Sequence, residues 1–244
     1  MSEFRPCVLV PTYDNPATVR DVVLRARAHL ADVVVVDDGS GPAGRAVCEA
    51  LAAEALAHVV HRARNGGKGA AVKDGFRAAR ARGFSHALQV DADGQHAIDD
   101  IPRLLDAARA RPEALVLGRP EFDASAPKAR RYGREITRFW TNVEAGGPAI
   151  GDPMCGFRVY PLDAAIAANA RGDAMDFDPE VAVRMVWLGV PVVNVTTRVR
   201  YIPRAEGGVS HFRMVRDNAL ISWMHTRLML TRIARWFIPG RRLP

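Results

Sequence analysis

His86-Ala87-Leu88-Gln89-Val90-Asp91-Ala92-Asp93-Gly94-Gln95-His96 is the stretch that decides the fold. An apolar run ends in two carboxylates two residues apart. Such a pair at the mouth of a buried strand makes a site for a hard divalent cation, Mg²⁺ or Mn²⁺, and a cation in that position ordinarily holds a phosphate group. Read as extended chain, Asp91, Asp93 and Gln95 share one face, so two carboxylates and an amide oxygen line one metal. His96 falls on the other side, as a packing or hydrogen-bonding residue. Acidic pairs are common on plain surfaces, so the surrounding chain has to decide.

Toward the N-terminus, residues 7–10 form an apolar strand stopped by Pro11. Asn15 followed by Pro16 reads as an N-cap and a first helical position, predicting a helix to about residue 31. Residues 33–36 are four consecutive valines, the mark of a strand buried on both faces. Asp37-Asp38-Gly39-Ser40-Gly41 breaks that strand. A helix over 44–56, a strand over 58–61, a helix from Gly66-Gly67 to 82 and the strand 87–90 follow. A helix over 101–110 and a strand over 115–117 complete the pattern. This β-α-β-α repetition predicts an α/β fold with a mostly parallel sheet and helices on both faces. Ligands in such sheets bind beyond the carboxyl ends of the strands. Four polar turns converge there: Pro11-Thr12-Tyr13, residues 37–40, residues 91–96 and Gly118-Arg119.

The second half is less regular. Residues 124–138 are basic and read as a loop leading into a helix. Residues 156–160 and 191–199 are strand-like, and Asp178-Pro179 reads as N-cap and first position of a helix to 188. Residues 204–210, with Gly207-Gly208, read as a flexible loop. No repeat and no linker cuts the chain.

The 244 residues, 48% hydrophobic and 25% charged, suit a soluble globular chain with a full core. No apolar run is long enough to span a bilayer. The first residues lack a basic region followed by an apolar one, which predicts no secretory signal. Three scattered cysteines, Cys7, Cys48 and Cys155, predict reduced thiols in the cytoplasm and no zinc site. The net charge of +7 is nearly all arginine. A basic chain can meet nucleic acid, a phosphorylated substrate or an anionic membrane.

Each turn has its own chemistry. Tyr13 can stack on a flat ring or cover the core. Asp38 can accept hydrogen bonds from a base that presents N–H groups, as uracil and guanine do, or simply make a turn. Asn65-Gly66-Gly67-Lys68-Gly69 can cradle phosphate at a helix N-terminus. It lacks the Ser/Thr that a P-loop places after its lysine.

Taken together, these segments, with Asp152-Pro153-Met154-Cys155-Gly156-Phe157-Arg158 and Gly208-Val209-Ser210-His211-Phe212, resemble family 2 glycosyltransferases, and within them the dolichyl- and polyprenyl-phosphate sugar transferases. The resemblance covers about residues 6–212. It implies a GT-A fold, a UDP- or GDP-linked sugar donor, Mg²⁺ or Mn²⁺, and inversion at the anomeric carbon. By the same resemblance Pro11, Tyr13, Asn15 and Asp38 hold the nucleoside, and Asp91, Ala92, Asp93 and Gln95 hold the diphosphate and metal, with Lys68 alongside. Arg119 and an arginine among residues 130–134, represented by Arg131, meet an acceptor phosphate. Arg204 and His211 close over the donor phosphates. The family usually has lysine where His211 stands and glutamate where Asn15 stands.

A lipid phosphate acceptor is already an anion and needs no base, whereas a hydroxyl acceptor does. Asp152 is the first candidate base, or else the anchor of its turn, and Glu180 the second. A sugar nucleotidyltransferase and a non-catalytic membrane-associated protein are the rival readings. Residues 213–244 read as a basic helical extension of a domain over 1–212. Ala219, Trp223, Leu230, Ile233 and Phe237 fall on one side of that helix, with Ile221, Met224 and Leu228 spoiling the division. It predicts peripheral attachment at the inner face of the cytoplasmic membrane. Nucleic acid is not among the expected partners, and self-association stays open.

Overall fold

A computed structural model describes residues 3–121, 128–199 and 213–237. Seven strands form one sheet in the order β3-β2-β1-β4-β6-β5-β7. They are β1 (Pro6–Thr12), β2 (Val33–Asp37), β3 (His58–His61), β4 (His86–Gln89), β5 (Leu115–Glu121), β6 (Arg158–Pro161) and β7 (Val192–Arg198). Only β6 runs antiparallel to its neighbours, β4 and β5. Two antiparallel steps restore direction, so β1, β2, β4 and β5 all end on one edge. The polar turns after β1, β2 and β4 therefore converge, whereas Gly118-Arg119, expected to be a turn, lies inside β5, which pairs with β7 as far as Glu121.

The helices are α1 (Val19–Arg27), α2 (Pro42–Ala53), α3 (Lys68–Ala81), α4 (Ile101–Ala110), α5 (Lys128–Ala145), α6 (Leu162–Ala167), α7 (Phe177–Trp187) and α8 (Met214–Phe237). Strand alternation sorts them into two layers. Val8 and Val10 join Val33 and Val35 on one face, under Val19, Val22, Val23 and Ala26 of α1 and Leu104 and Leu105 of α4. Cys7 and Leu9 join Val34 and Val36 on the other, under Val72 and Phe76 of α3 and Val181 and Met185 of α7. The spacing i, i+3, i+4, i+7 in α1 is what one helix face against a sheet requires.

Three local expectations change. Asn15-Pro16 opens a turn and α1 begins only at Val19, with Thr18 before it. The Asn15 amide turns back to donate to Thr12 Oγ1 and the Tyr13 carbonyl, so it caps no helix. Helix α5 begins at Lys128, inside the stretch expected to be loop. Its apolar residues point away from the core, which hid the period from a reading that looks for a core-facing stripe. Asp178 lies in the first turn of α7, after Asp176 at the cap position.

Helix α8 packs Ile221, Met224 and Leu228 into the core. These are the residues that blurred its sequence pattern. Trp223, Leu230, Ile233 and Phe237 are exposed. The helix is held by Arg227 on Glu180 at 2.7 Å and His225 on Glu144 at 2.7 Å. No helix among the described residues is long and apolar enough to cross a membrane.

One buried cation organises the region between β4 and α7. Arg158, fully buried, donates to the backbone carbonyls of Pro153, Cys155 and Asp178. It thereby fixes the loop before β6 against the start of α7. Removing a donor strands three acceptors, each costing about 1–3 kcal/mol. Arg158→Met is expected to lower stability by about 3 kcal/mol or more, a fall of roughly 6–12 °C in melting temperature for a domain of this size. Calorimetry on the purified variant checks it.

Candidate active site

Each turn at the sheet edge is fixed by its neighbour. After β1, Asp14 takes a left-handed φ of 48°. Its N–H donates to Ser40 Oγ at 2.9 Å and its carboxylate accepts from the Gly41 N–H at 2.8 Å. Thr18 reaches across to the Ala92 carbonyl at 2.6 Å. The turns after β1, β2 and β4 are thus one hydrogen-bonded unit.

The adjacent aspartates after β2 divide the work. Asp37 is fully buried and accepts from the Ser40 N–H and from His61. Burial opposes its charge, but the Ser40 and His61 hydrogen bonds outweigh it and hold the carboxyl below its usual range. Asp38, also buried, takes the Gly66 and Gly67 N–H groups at 3.0 and 2.8 Å and the Arg62 guanidinium. It shapes the glycine loop in front of α3. Arg62, which the sequence gave no reason to single out, also holds Asp74 at 2.7 Å.

Lys68 starts α3 and enters the centre of the site. Its ammonium lies 2.8 and 2.9 Å from the two oxygens of Asp91 and 2.9 Å from Asp178. Burial opposes the lysine charge, but Asp178 and Asp91 outweigh it and raise its pKa. Burial likewise opposes ionisation of Asp91, but Lys68 and His96 hold that carboxyl well below its usual range. Asp178 was expected only as a cap; its place beside Lys68 is a tertiary fact. The close approach also explains Gly156: a Cβ there would lie 2.4 Å from an Asp91 oxygen and 2.6 Å from the Lys68 nitrogen.

The segment from Asp91 to His96 is a turn, with Gly94 at φ 72°, and not the extended chain assumed above. Asp93 Oδ1 accepts the Gln95 N–H at 3.0 Å. His96 lies toward the carboxylates: its Nε2 is 3.4 Å from Asp91 and its ring stacks on Phe157. Asp91 spends both oxygens on Lys68, whereas Asp93 has no ion-pair partner among the described residues. Burial and the neighbouring Asp91 charge push its carboxyl pKa upward. Among the described residues no group of three or more acidic, His or Cys side chains could hold a metal. A half-buried carboxylate with no ion-pair partner among the described residues does fit an ion that takes its remaining ligands from phosphate, as Mg²⁺ does.

On the far side of the sheet edge Arg119 projects from β5, near Gly151. Asp152 is buried: one oxygen accepts the Met154 and Cys155 N–H groups at 2.8 Å each, the other takes Arg134 of α5 at 2.7 Å. Glu180 is sealed inside by Gly172 N–H, Arg184 and Arg227, so it has no route to an acceptor. Pro11 does not stop β1: the strand pairs with β2 through Pro11 and Thr12, and Tyr13 is the first residue beyond it. Arg204, His211 and the Arg131 side chain lie outside the described residues.

Residues 7–165 match the family described as Glycosyl transferase family 2. The polyprenol monophosphomannose synthase of Mycolicibacterium smegmatis is 30% identical over 97% of this chain and 88% of its own. The undecaprenyl-phosphate mannosyltransferase of Micrococcus luteus is 29% identical over 83% of this chain and 86% of its own. Among solved structures, glucosyl-3-phosphoglycerate synthase from Mycobacterium tuberculosis with UDP aligns at TM-score 0.61 and 17% identity, covering 97% of this chain and 81% of that one. That likeness shows the fold, GT-A.

Removing the ammonium leaves two carboxylates facing each other. Lys68→Met is expected to cost roughly 3 kcal/mol at neutral pH. The folded pKa of Asp91 lies below its unfolded value of about 3.9, so its contribution is complete above that pH and lost as pH falls toward the folded pKa. Urea unfolding of wild type and variant should therefore show a gap that narrows below about pH 4. A gap that persists unchanged into strong acid contradicts the ion-pair account.

Proposed function

The chain belongs to glycosyl transferase family 2, and from that premise we propose that it moves a sugar from a nucleoside-diphosphate donor to a polyprenyl phosphate. Mannose is the first sugar to test, since two relatives are named for it. The observation that carries the acceptor reading is the state of the two candidate bases. Asp152 carries three hydrogen bonds and Glu180 is walled in, so neither stands free to take a proton. A phosphate acceptor brings its own anionic oxygen and needs no base. Arg119 and Arg134 supply positive charge on the acceptor side. Arg134 is the described arginine of the basic run that the family pattern assigns to the acceptor.

On the donor side, Tyr13 and the Asp38-ordered glycine loop would receive the nucleoside, and Lys68 the diphosphate. Asp93 and Gln95 would hold Mg²⁺ or Mn²⁺, which would neutralise charge on the departing nucleoside diphosphate. Asp91 serves by fixing Lys68. We carry Arg204 and His211 to the donor phosphates from the family pattern. The acceptor lipid places the enzyme at a membrane surface, and we propose the inner face of the cytoplasmic membrane.

A thermal-shift series with UDP and GDP, each with and without Mn²⁺, tests the donor side. One of the two should raise the melting temperature only with the ion, and Asp93→Ala should abolish that rise. Transfer of radiolabelled mannose to a short-chain prenyl phosphate tests the acceptor. Asp152→Asn should retain part of the activity; complete loss in a variant that still binds donor points instead to a hydroxyl acceptor with Asp152 as base.

A further inference from the structure

Both oxygens of Asp91 are already engaged. The Lys68 ammonium lies 2.8 Å from Oδ1 and 2.9 Å from Oδ2. The Gln89 side-chain amide approaches Oδ1 at 3.3 Å, and His96 Nε2 approaches Oδ2 at 3.4 Å. Lys68 is thus the closest partner of each oxygen. Asp93 accepts the Gln95 N–H and makes no ion pair among the described residues. As these side chains stand, no three acidic, His or Cys groups among the described residues are placed to hold a metal. A divalent ion in this arrangement meets one uncommitted carboxylate, Asp93, and beside it an ammonium that repels it. A hard cation takes about six oxygen ligands, so Asp93 alone holds it poorly.

The lysine has a second seat. Its nitrogen is 2.9 Å from Asp178 Oδ2, whereas Asp178 Oδ1 is buried with no hydrogen-bond partner among the described residues. A buried acceptor left unused is costly. Here it is the acceptor that an ammonium leaving Asp91 would need. The Lys68 stem is flexible, so the ammonium can pivot between the two aspartates while α3 stays in place. Asp178 is the fixed point, because Arg158 donates to its backbone carbonyl at 2.6 Å. A lysine that served only to join two carboxylates would leave no reason for Asp178 to stay half used.

We propose that Lys68 makes cation binding conditional on the sugar donor. Without donor, the ammonium sits on Asp91 and keeps a divalent ion off the Asp91–Asp93 pair. The diphosphate draws the ammonium to its own oxygens and to Asp178, and Asp91 is then free to join Asp93 as a ligand. The donor shifts the balance because only the second arrangement offers it both the lysine and the ion. Lys68 is in this respect a positioning residue, with Asp178 as its second anchor. The inference rests on the donor reading above and adds an order to it: nucleoside diphosphate and ion enter together. By linkage each strengthens the binding of the other.

Electron paramagnetic resonance of Mn²⁺ separates free from bound ion without any turnover, and it tests the proposal on the full chain. Nucleotide-free wild type should bind Mn²⁺ weakly. Lys68→Met should bind it about tenfold more tightly, within the usual range of coupling between two sites. Lys68→Arg keeps the charge and should stay near wild type. Lys68→Met leaves two carboxylates facing each other, so Lys68→Met/Asp178→Asn, which removes one charge of each sign, is measured beside it. With a melting curve that shows it folded, it too should gain about tenfold. Asp178→Asn alone should bind Mn²⁺ as weakly as wild type and lose about fivefold or more in affinity for UDP or GDP with Mn²⁺. The proposal is overturned if the double variant binds the ion no more tightly than wild type. It is equally overturned if Lys68→Arg gains as much as Lys68→Met, or if Asp178→Asn holds nucleotide with Mn²⁺ as wild type does. Wild type that binds nucleotide with Mn²⁺, beside Lys68 variants that gain nothing, leaves the donor reading standing and sinks this inference. Lys68 variants that gain the ion, beside a wild type that takes neither nucleotide, sink the donor reading and leave the hold of Lys68 on Asp91 standing.

Discussion

The Lys68 ammonium between Asp91 and Asp178 is the contact on which the centre of the molecule depends. It joins the first residue of α3, the end of the β4 strand and the first turn of α7, three segments far apart in sequence. Two carboxylates this close repel unless a cation lies between them. With Lys68 there, the strand ends can approach, and Gly156 gives the room. Arg158 does the same for the loop in front of β6, by satisfying carbonyls rather than carboxylates.

That arrangement sorts the acidic residues by use. Asp37, Asp38, Asp91, Asp152 and Glu180 all spend their oxygens inside the protein, and together they hold the turns where they are. Asp93 makes no ion pair among the described residues, and burial and the neighbouring Asp91 charge raise its pKa. A transferase whose acceptor is already charged can commit its carboxylates to architecture in this way, because its chemistry asks for positive charge around phosphates more than for a base.

Helix α5 extends the same economy outward. It turns its hydroxyls inward and its aromatic side chains to solvent, and it lends Arg134 to Asp152 from the same helix. The Asp152 turn and the exposed Tyr132, Ile136, Phe139 and Trp140 therefore lie against two faces of one helix, with a groove beside Phe139.

The amino-acid sequence by itself determined the parallel strands, their connecting helices and the edge where the polar turns gather. Those follow from local periodicity and from Pro and Gly punctuation, which act over a few residues. It also carried the family, since Asp91, Asp93, Gln95 and the segment from Asp152 to Arg158 stand in recognisable order. Tertiary structure alone decided the partners. Asp178 looked like a cap, Asp38 like a turn residue or a ligand for a base, and the first turns of α5 like the loop before a helix, because nothing within a few residues of each reveals Lys68, Gly66, Arg62 or a solvent-facing apolar stripe. Charge pairing and burial act across the whole chain in space, so the use of each carboxylate became legible only once the strands had brought it to its cation.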